Sequence, residues 1–393
     1  MKVVLDCSLN HVHPRHFAFQ DIVEKGEKSE YKDWFTVFDY PVRFLHRPHL
    51  YANTYKVGWD GNAEEYKTYL EKTFKETKVP VEVVDDDGPI IEPTFKAWWG
   101  VPDMPKINFK NDGARQWALD VTEHWIKNFD IDGWRMDVAK ELDFSFWKDF
   151  RDVAYSAKKD ILLISEIFGD TSQWLQGERF DGTMNYSFRE TMTDYFATKR
   201  IDNKEFANSL ANLYSMYSFE ALSSCQNLLS SHDVKRFLNR CGANTDGMFG
   251  AIFLQATFPG IAGIYYGDEI GLGGADDPFN REPFPWESED KWNKDLLKFT
   301  SELMNIKTSQ PILRYGNFEM VTYDDNYVIF RRVLNDESLL CIVNRDLNNK
   351  DIELNTNAHS VDIVYGDCTI ELDSGKLKIT DIADNFGLII KES

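Results

Sequence analysis

Ile131-Asp132-Gly133-Trp134-Arg135-Met136-Asp137 is the stretch on which the fold turns. It is short, mostly apolar and closes on charge, the pattern of a parallel strand buried on both faces and ending in polar residues. Comparable runs occur at Val3 to Leu5, Ile161 to Ile164, Gln226 to Leu229 and Ile261 to Tyr266. Helical patterns lie between them. After Asn111-Asp112, which supply capping chemistry, Ala114, Ala118, Val121, Trp125 and Phe129 follow the three-or-four spacing of one buried face. Such alternation of β and α over a chain of 393 residues implies a barrel or a doubly wound sheet with a smaller companion domain.

Two segments break the rhythm. Residues 12–103 are rich in Tyr, Trp, Pro and charge without a βα period, and read as an insertion at a strand end. Their charged stretches, Glu24 to Glu30 and Asp85 to Asp87, read as solvated loops. After a helical stretch at Asp295 to Lys307, the chain changes at Pro311 to short alternating segments, Tyr327 to Phe330 and Leu339 to Val343, separated by Asn/Asp turns. That is the mark of an antiparallel β domain over 311–393.

Composition narrows the chemistry. Lys and Arg number 44 against 65 Asp and Glu, a formal charge of -21 that repels phosphates, so nucleic acid is an unsuitable partner and a neutral ligand fits best. Aromatic residues make up 14%, with 11 Trp; most pack, but rings exposed in a cleft can stack on sugars. No apolar run is long enough for a membrane span. Cys7, Cys225, Cys241, Cys341 and Cys368 are scattered and odd in number, which argues against a disulfide framework or a zinc site and for a reducing cytoplasm.

In barrels, chemistry sits at the carboxyl ends of strands. Four of the apolar runs end in acids: Asp6 followed by Asn10-His11, Arg135-Met136-Asp137, Ser165-Glu166, and Ser230-Ser231-His232-Asp233. Arg135 and Asp137 are two apart, so both leave one face of a strand, and the guanidinium keeps the carboxylate ionised as a nucleophile requires. A plain buried ion pair accounts for that pair equally well. Glu166 ends the most apolar run; an apolar wall would favour its protonated form and suit it to general acid work. Asp233 is left for charge stabilisation, and His11 and His232 for hydrogen bonds to sugar hydroxyls.

At these residues the sequence resembles the α-amylase family, glycoside hydrolase family 13. The segments that carry the resemblance are Leu5 to His11, Gly133 to Glu141, Ser165 to Ile167 and Leu229 to Asp233, in the family's order, with further similarity at Gly263 to Glu269 and Asp277 to Pro283. Met104-Pro105-Lys106-Ile107-Asn108, Phe19-Gln20-Asp21 and Glu141 after Lys140 resemble its neopullulanase, cyclomaltodextrinase and maltogenic amylase group. The resemblance implies Asp137 as nucleophile, Glu166 as acid/base and Asp233 as third carboxylate. Arg135, His11, His232, Lys140 and Glu141 would bind substrate. It implies an α/β, (β/α)8 barrel made of 1–11 and 104–310, lacking its first two strands in this chain, with 12–103 as domain B and 311–393 as a β-sandwich domain C. A missing N-terminal segment, or a second chain in an oligomer, would then complete the barrel.

The expected activity is retaining hydrolysis of α-1,4 bonds in maltooligosaccharides, cyclodextrins or related α-glucans, with α-1,6 cleavage and transglycosylation as extensions. A trehalose-forming or glucan-branching enzyme of the same family, and an inactive sugar-binding fragment, are the alternatives. No cofactor is required by this chemistry. Calcium is an optional ligand, because no loop has a dedicated calcium spacing.

Overall fold

The computed structural model describes residues 1–51, 62–345, 350–383 and 386–393. They fall into two units, Met1–Glu166 and Ile167–Ser393. The first contains strands β1 (Val4–Cys7), β2 (Phe44–His46), β3 (Val81–Val83), β4 (Ile91–Pro93), β5 (Gly133–Met136) and β6 (Leu162–Ser165). Its helices are α1 (Phe17–Lys25), α2 (Ala63–Thr77), α3 (Asp112–Phe129) and α4 (Phe144–Ala157).

β5 runs parallel to β1 on one side, with Asp6 opposite Arg135, and to β6 on the other, with Arg135 opposite Ile164. Every residue of β5 is buried, as its apolar reading requires. β1 departs from that expectation: among the described residues of this unit it pairs with β5 alone, and Val4 is 41% exposed. Gly133 is dictated by the spacing of the strands, since a Cβ there would lie 2.7 Å from the Leu162 carbonyl oxygen and 2.9 Å from Val4 Cγ2.

α3 begins where the capping signal puts it, with the Asn111 side chain accepting from the Ala114 N–H at 3.0 Å. Its buried stripe is rotated from the expected one. Ala114, Ala118, Leu119, Thr122 and Ile126 face inward, whereas Trp125 and Phe129 are exposed at 39% and 59%, their rings 4.6 Å apart. Ala114 and Ala118 are buried as the spacing predicts, and the stripe continues through Leu119, Thr122 and Ile126, one position on from Val121 and Trp125.

Residues 12–103 hold a small mixed sheet of their own, with β2 parallel to β3 and antiparallel to β4. Phe19, Phe35, Phe44, Leu70 and Phe95 form its core with side chains of α1 and α2. The acidic run at 85–87 is more than a solvated loop: Asp86 pairs with the buried Arg47, which also binds Glu92 at 3.0 Å. Glu24 lies within α1, so that charged stretch is in part the polar face of a helix.

In the second unit β7 (Gly182–Thr183) precedes β8 (Gln226–Leu228) and β9 (Ile261–Gly263), and β8 and β9 pair in parallel with Asn227 opposite Ala262. Helices at Tyr186–Met192, Asn203–Ser215, Asp246–Thr257 and Lys294–Ser309 accompany them. The C-terminal end of the Asp246–Thr257 helix meets two buried basic side chains. Lys307 donates to the Ala256 and Phe258 carbonyls at 3.1 and 3.2 Å, and Arg332 donates to those of Thr257, Leu313 and Gly316.

The C-terminal strands are β10 (Asn317–Tyr323), β11 (Val328–Leu334), β12 (Glu337–Val343), β13 (Ile352–Asn355), β14 (Val361–Tyr365), β15 (Thr369–Asp373), β16 (Lys376–Thr380) and β17 (Gly387–Glu392). They form two antiparallel sheets, ordered β10-β11-β12-β17-β14 and β13-β16-β15. Ile329, Leu340, Ile342 and Ile390 of the first pack with Ile352, Leu377 and Ile379 of the second. The other face of the large sheet, through Phe330, Leu339, Cys341 and Ile389, joins the helical core at Phe253 and Phe258. Cover on both faces explains why Leu339 to Val343 is continuously apolar despite being antiparallel.

Candidate active site

The parallel register of β1, β5 and β6 puts the ends of three apolar runs side by side. At that rim Arg135 gathers three carboxylates. Its Nη1 lies 2.7 Å from Asp6 Oδ1 and 3.0 Å from Asp137 Oδ1, and its Nη2 lies 2.6 Å from Glu166 Oε1. The other Glu166 oxygen, Oε2, accepts from the Val138 N–H at 3.0 Å. Asp137 is itself fixed by its backbone N–H, which donates to the Cys7 carbonyl at 3.0 Å. Arg135 and Glu166 side chains are only 11% and 6% exposed, while Asp137 keeps 23%, enough to face an incoming molecule.

Val138 makes this arrangement with a backbone that β-branched residues avoid, φ 41° and ψ 44°. The left-handed turn aims its N–H at Glu166 and starts the short helical turn Ala139–Glu141. Strain of this kind persists where the surroundings over-determine it, often at functional sites. The expected apolar wall around Glu166 is not what its carboxylate meets: a guanidinium and an amide N–H hold both oxygens. The strand is apolar, but its last side chain turns to the rim, and the neighbouring strand supplies the charge.

Burial pulls the Arg135 guanidinium down, yet Glu166, Asp6 and Asp137 together hold it above its ordinary value. Cys7, between these charges, is pushed up to about 12, chiefly by burial, so it stays a neutral thiol. His11 lies below its ordinary value because burial outweighs the pull of Asp137 and Asp103, and it is a neutral donor at neutral pH. Its ring stacks on Trp98 at 5.0 Å, and its backbone bridges to Lys106 in the Met104 to Asn108 stretch. Lys106 pairs with Glu141, whereas Lys140 is exposed. Trp99, beside Trp98, is 84% exposed.

In the second unit Asp233 follows β8 through Ser230 and Ser231. Its N–H donates to Ser231 Oγ at 3.2 Å, and its carboxylate lies 3.1 Å from His232 Nε2 and 3.6 Å from Arg281 Nη2. Arg281 and its neighbour Asn280 received no role from the sequence, although Asp277 to Pro283 was singled out. A usable signal existed in the Asp277 and Arg281 spacing, a pair that closes at 3.0 Å. Asp268, buried and pushed up to about 7 by that burial, pairs with Arg236 at 3.3 Å.

Comparison with known proteins identifies the family. Residues 94–312 match the model of the α-amylase catalytic domain. Neopullulanase 2 of Thermoactinomyces vulgaris is 34% identical over 346 residues, 88% of this chain and 51% of that one. A cyclomaltodextrinase of Thermoanaerobacter pseudethanolicus is 32% identical over 356 residues, 90% of this chain and 54% of its own. The chain thus spans about half the length of the curated relatives it matches. Among solved structures, the debranching enzyme of Nostoc punctiforme superimposes with a TM-score of 0.81 at 27% identity, covering 100% of this chain and 76% of that one. The cyclic α-maltosyl-(1→6)-maltose hydrolase of Arthrobacter globiformis gives 0.78 at 27% identity, covering 100% and 76%. With the carboxylates assembled on Arg135 and the catalytic-domain model matched over more than half of its residues, this chain belongs to the α-amylase family, glycoside hydrolase family 13.

Proposed function

We propose that this chain carries the catalytic apparatus of a retaining α-glucosidic hydrolase acting on maltooligosaccharides, cyclodextrins or related small α-glucans. The observation that supports it best is one guanidinium touching both Asp137 and Glu166. In double displacement, an Asp137 oxygen attacks the anomeric carbon and the bond to the leaving oxygen breaks as Glu166 gives that oxygen its proton. A water then loses a proton to Glu166 and displaces Asp137, so the product keeps the α configuration. Asp233 contributes negative charge to the oxocarbenium-like transition state. Neutral His11, with His232, Lys140 and Glu141, engages hydroxyls of the bound sugar. The same reading makes 1–11 and 104–310 the barrel portion, 12–103 domain B and 311–393 domain C. The names of the relatives favour α-1,4 cleavage with α-1,6 bonds as a second target.

The test is Asp137→Asn. Release of reducing ends from maltotriose or β-cyclodextrin is expected to fall by about three orders of magnitude or more while the thermal midpoint stays near that of the parent. Product from the parent should appear first as the α anomer by proton NMR. Equal turnover by the variant, or β anomer as first product, overturns the proposal.

A further inference from the structure

Asn280 is fully buried, although it sits between Phe279 and Arg281, which are 61% and 45% exposed. Its Nδ2 lies 2.8 Å from the His232 carbonyl oxygen, 3.1 Å from that of Val234 and 3.4 Å from that of Ser231. The two shortest contacts grip the His232–Asp233 and Val234–Lys235 peptides, which bracket the Asp233–Val234 unit. An amide has two N–H groups, so these two carbonyls use both. The convergence of carbonyls also fixes which way round the amide sits. Its Oδ1 is buried and has no donor among the described residues, so the donor side alone accounts for an asparagine here.

The grip is reinforced from both directions. Arg281 Nε donates to the same His232 carbonyl at 3.0 Å while its Nη2 faces the Asp233 carboxylate. Tyr265 donates its hydroxyl to the Asn280 carbonyl at 3.3 Å, tying the loop to the chain beyond β9. On the other side of the turn, Ser231 Oγ accepts from the Asp233 N–H and Ser231 bridges to Val234. Among the described residues the segment 231–234 forms an isolated bridge and belongs to no strand, so these side chains help to set its shape.

We propose that Asn280 is a positioning residue for Asp233, holding the carbonyls of the residues before and after it so that the carboxylate has one orientation. This rests on the role given to Asp233 above. Displacing a catalytic group by about 1 Å can cost on the order of 100-fold in rate, which sets the scale of the effect. The residue touches no substrate, so the loss should fall on turnover and leave substrate affinity near its parent value.

A double-mutant cycle tests it in the full chain, with Asn280→Leu, Asp233→Ala and both together. The substrate is 4-nitrophenyl α-maltoside, whose good leaving group keeps slow variants measurable. Asn280→Leu is expected to lower kcat about 10- to 100-fold with KM little changed. In the Asp233→Ala background it should cost nothing further, because the group it positions is gone. Equal losses in both backgrounds, or an unchanged kcat in Asn280→Leu, overturn the proposal. Should the leucine variant fail to fold, Asn280→Ser, which keeps one donor, enters the same cycle with an intermediate loss expected. Amide hydrogen exchange at residues 231–235 reads the grip without turnover: faster exchange in the variant supports it and unchanged exchange overturns it. Full activity in Asp233→Ala would instead overturn the role assigned to Asp233.

Discussion

Replacing Arg135 by Met keeps the length and packing of the side chain and removes the charge that Asp6, Asp137 and Glu166 share. At an effective dielectric of about 20, each contact of 2.6 to 3.0 Å represents about 6 kcal/mol of Coulomb attraction before desolvation is subtracted. Desolvation offsets most of it, and the Asp6 contact, with that side chain 57% exposed, adds little. Stranding Glu166 and Asp137 without their cation should therefore cost about 3–5 kcal/mol at neutral pH, the range for breaking a buried pair. For a unit the size of the first, this corresponds to a fall in thermal midpoint of about 6–20 °C. The pH dependence gives the sign. In the variant, two unpaired carboxylates repel one another, so at least one has its folded pKa raised above the unfolded value of about 4. Such a group destabilises nothing below its unfolded pKa and destabilises fully above its folded one. The gap between parent and variant should accordingly narrow as pH falls from 7.5 to 4.5, followed by differential scanning fluorimetry in half-unit steps. A cost under about 1 kcal/mol, or a gap that widens on acidification, would refute the idea that Arg135 organises this rim.

His16 packs its ring against Phe17 and Trp117, and burial pulls it down to about 4. Its unfolded form takes up a proton near pH 6.5 and its folded form only near 4, so stability is lost as pH drops through that window. His16→Gln should flatten the midpoint-against-pH curve between 6.5 and 4; an identical slope would show that the loss arises elsewhere. Lys307 is pulled down to about 7, first by burial and then by Arg332. Its unfolded form keeps the proton up to about pH 10.4, so the parent gains stability between pH 7 and 10. Lys307→Met cannot share that gain, and its midpoint relative to the parent should fall over the same interval. A constant difference would mean that Lys307 is charged throughout.

Strand positions were legible because burial on both faces leaves an unmistakable local pattern, and β5 and β6 lie within a residue or two of their expected bounds. The pairing of Arg135 with Asp137 was legible for a related reason, a spacing of two along extended chain. The link from Arg135 to Glu166 depends on which strand lies beside β5, and the surroundings of Glu166 were misjudged for want of it. The Asn280 contacts are less accessible still, since they join a loop to a turn 48 residues earlier through side chain to backbone, and carbonyls leave no trace in sequence. On α3, Ala114 and Ala118 were legible as buried, but a three-or-four spacing fits both Val121-Trp125 and the adjacent Thr122-Ile126, and only packing chooses between them. The division of the C-terminal strands into two sheets rests on long-range pairing, such as β12 with β17, that alternation alone does not fix.

The five thiols differ in a way that bears on handling the protein. Cys7, Cys225, Cys241 and Cys341 are each pushed up to about 12 by burial, so almost none of their thiolate exists near neutrality and alkylating or oxidising reagents find no nucleophile there. Cys368, raised less and only half-sheltered beside the small sheet, is the accessible one. A maleimide fluorophore would therefore attach chiefly at one place, in the C-terminal β domain of the second unit. The chain comes with a ready anchor for immobilisation or distance measurement.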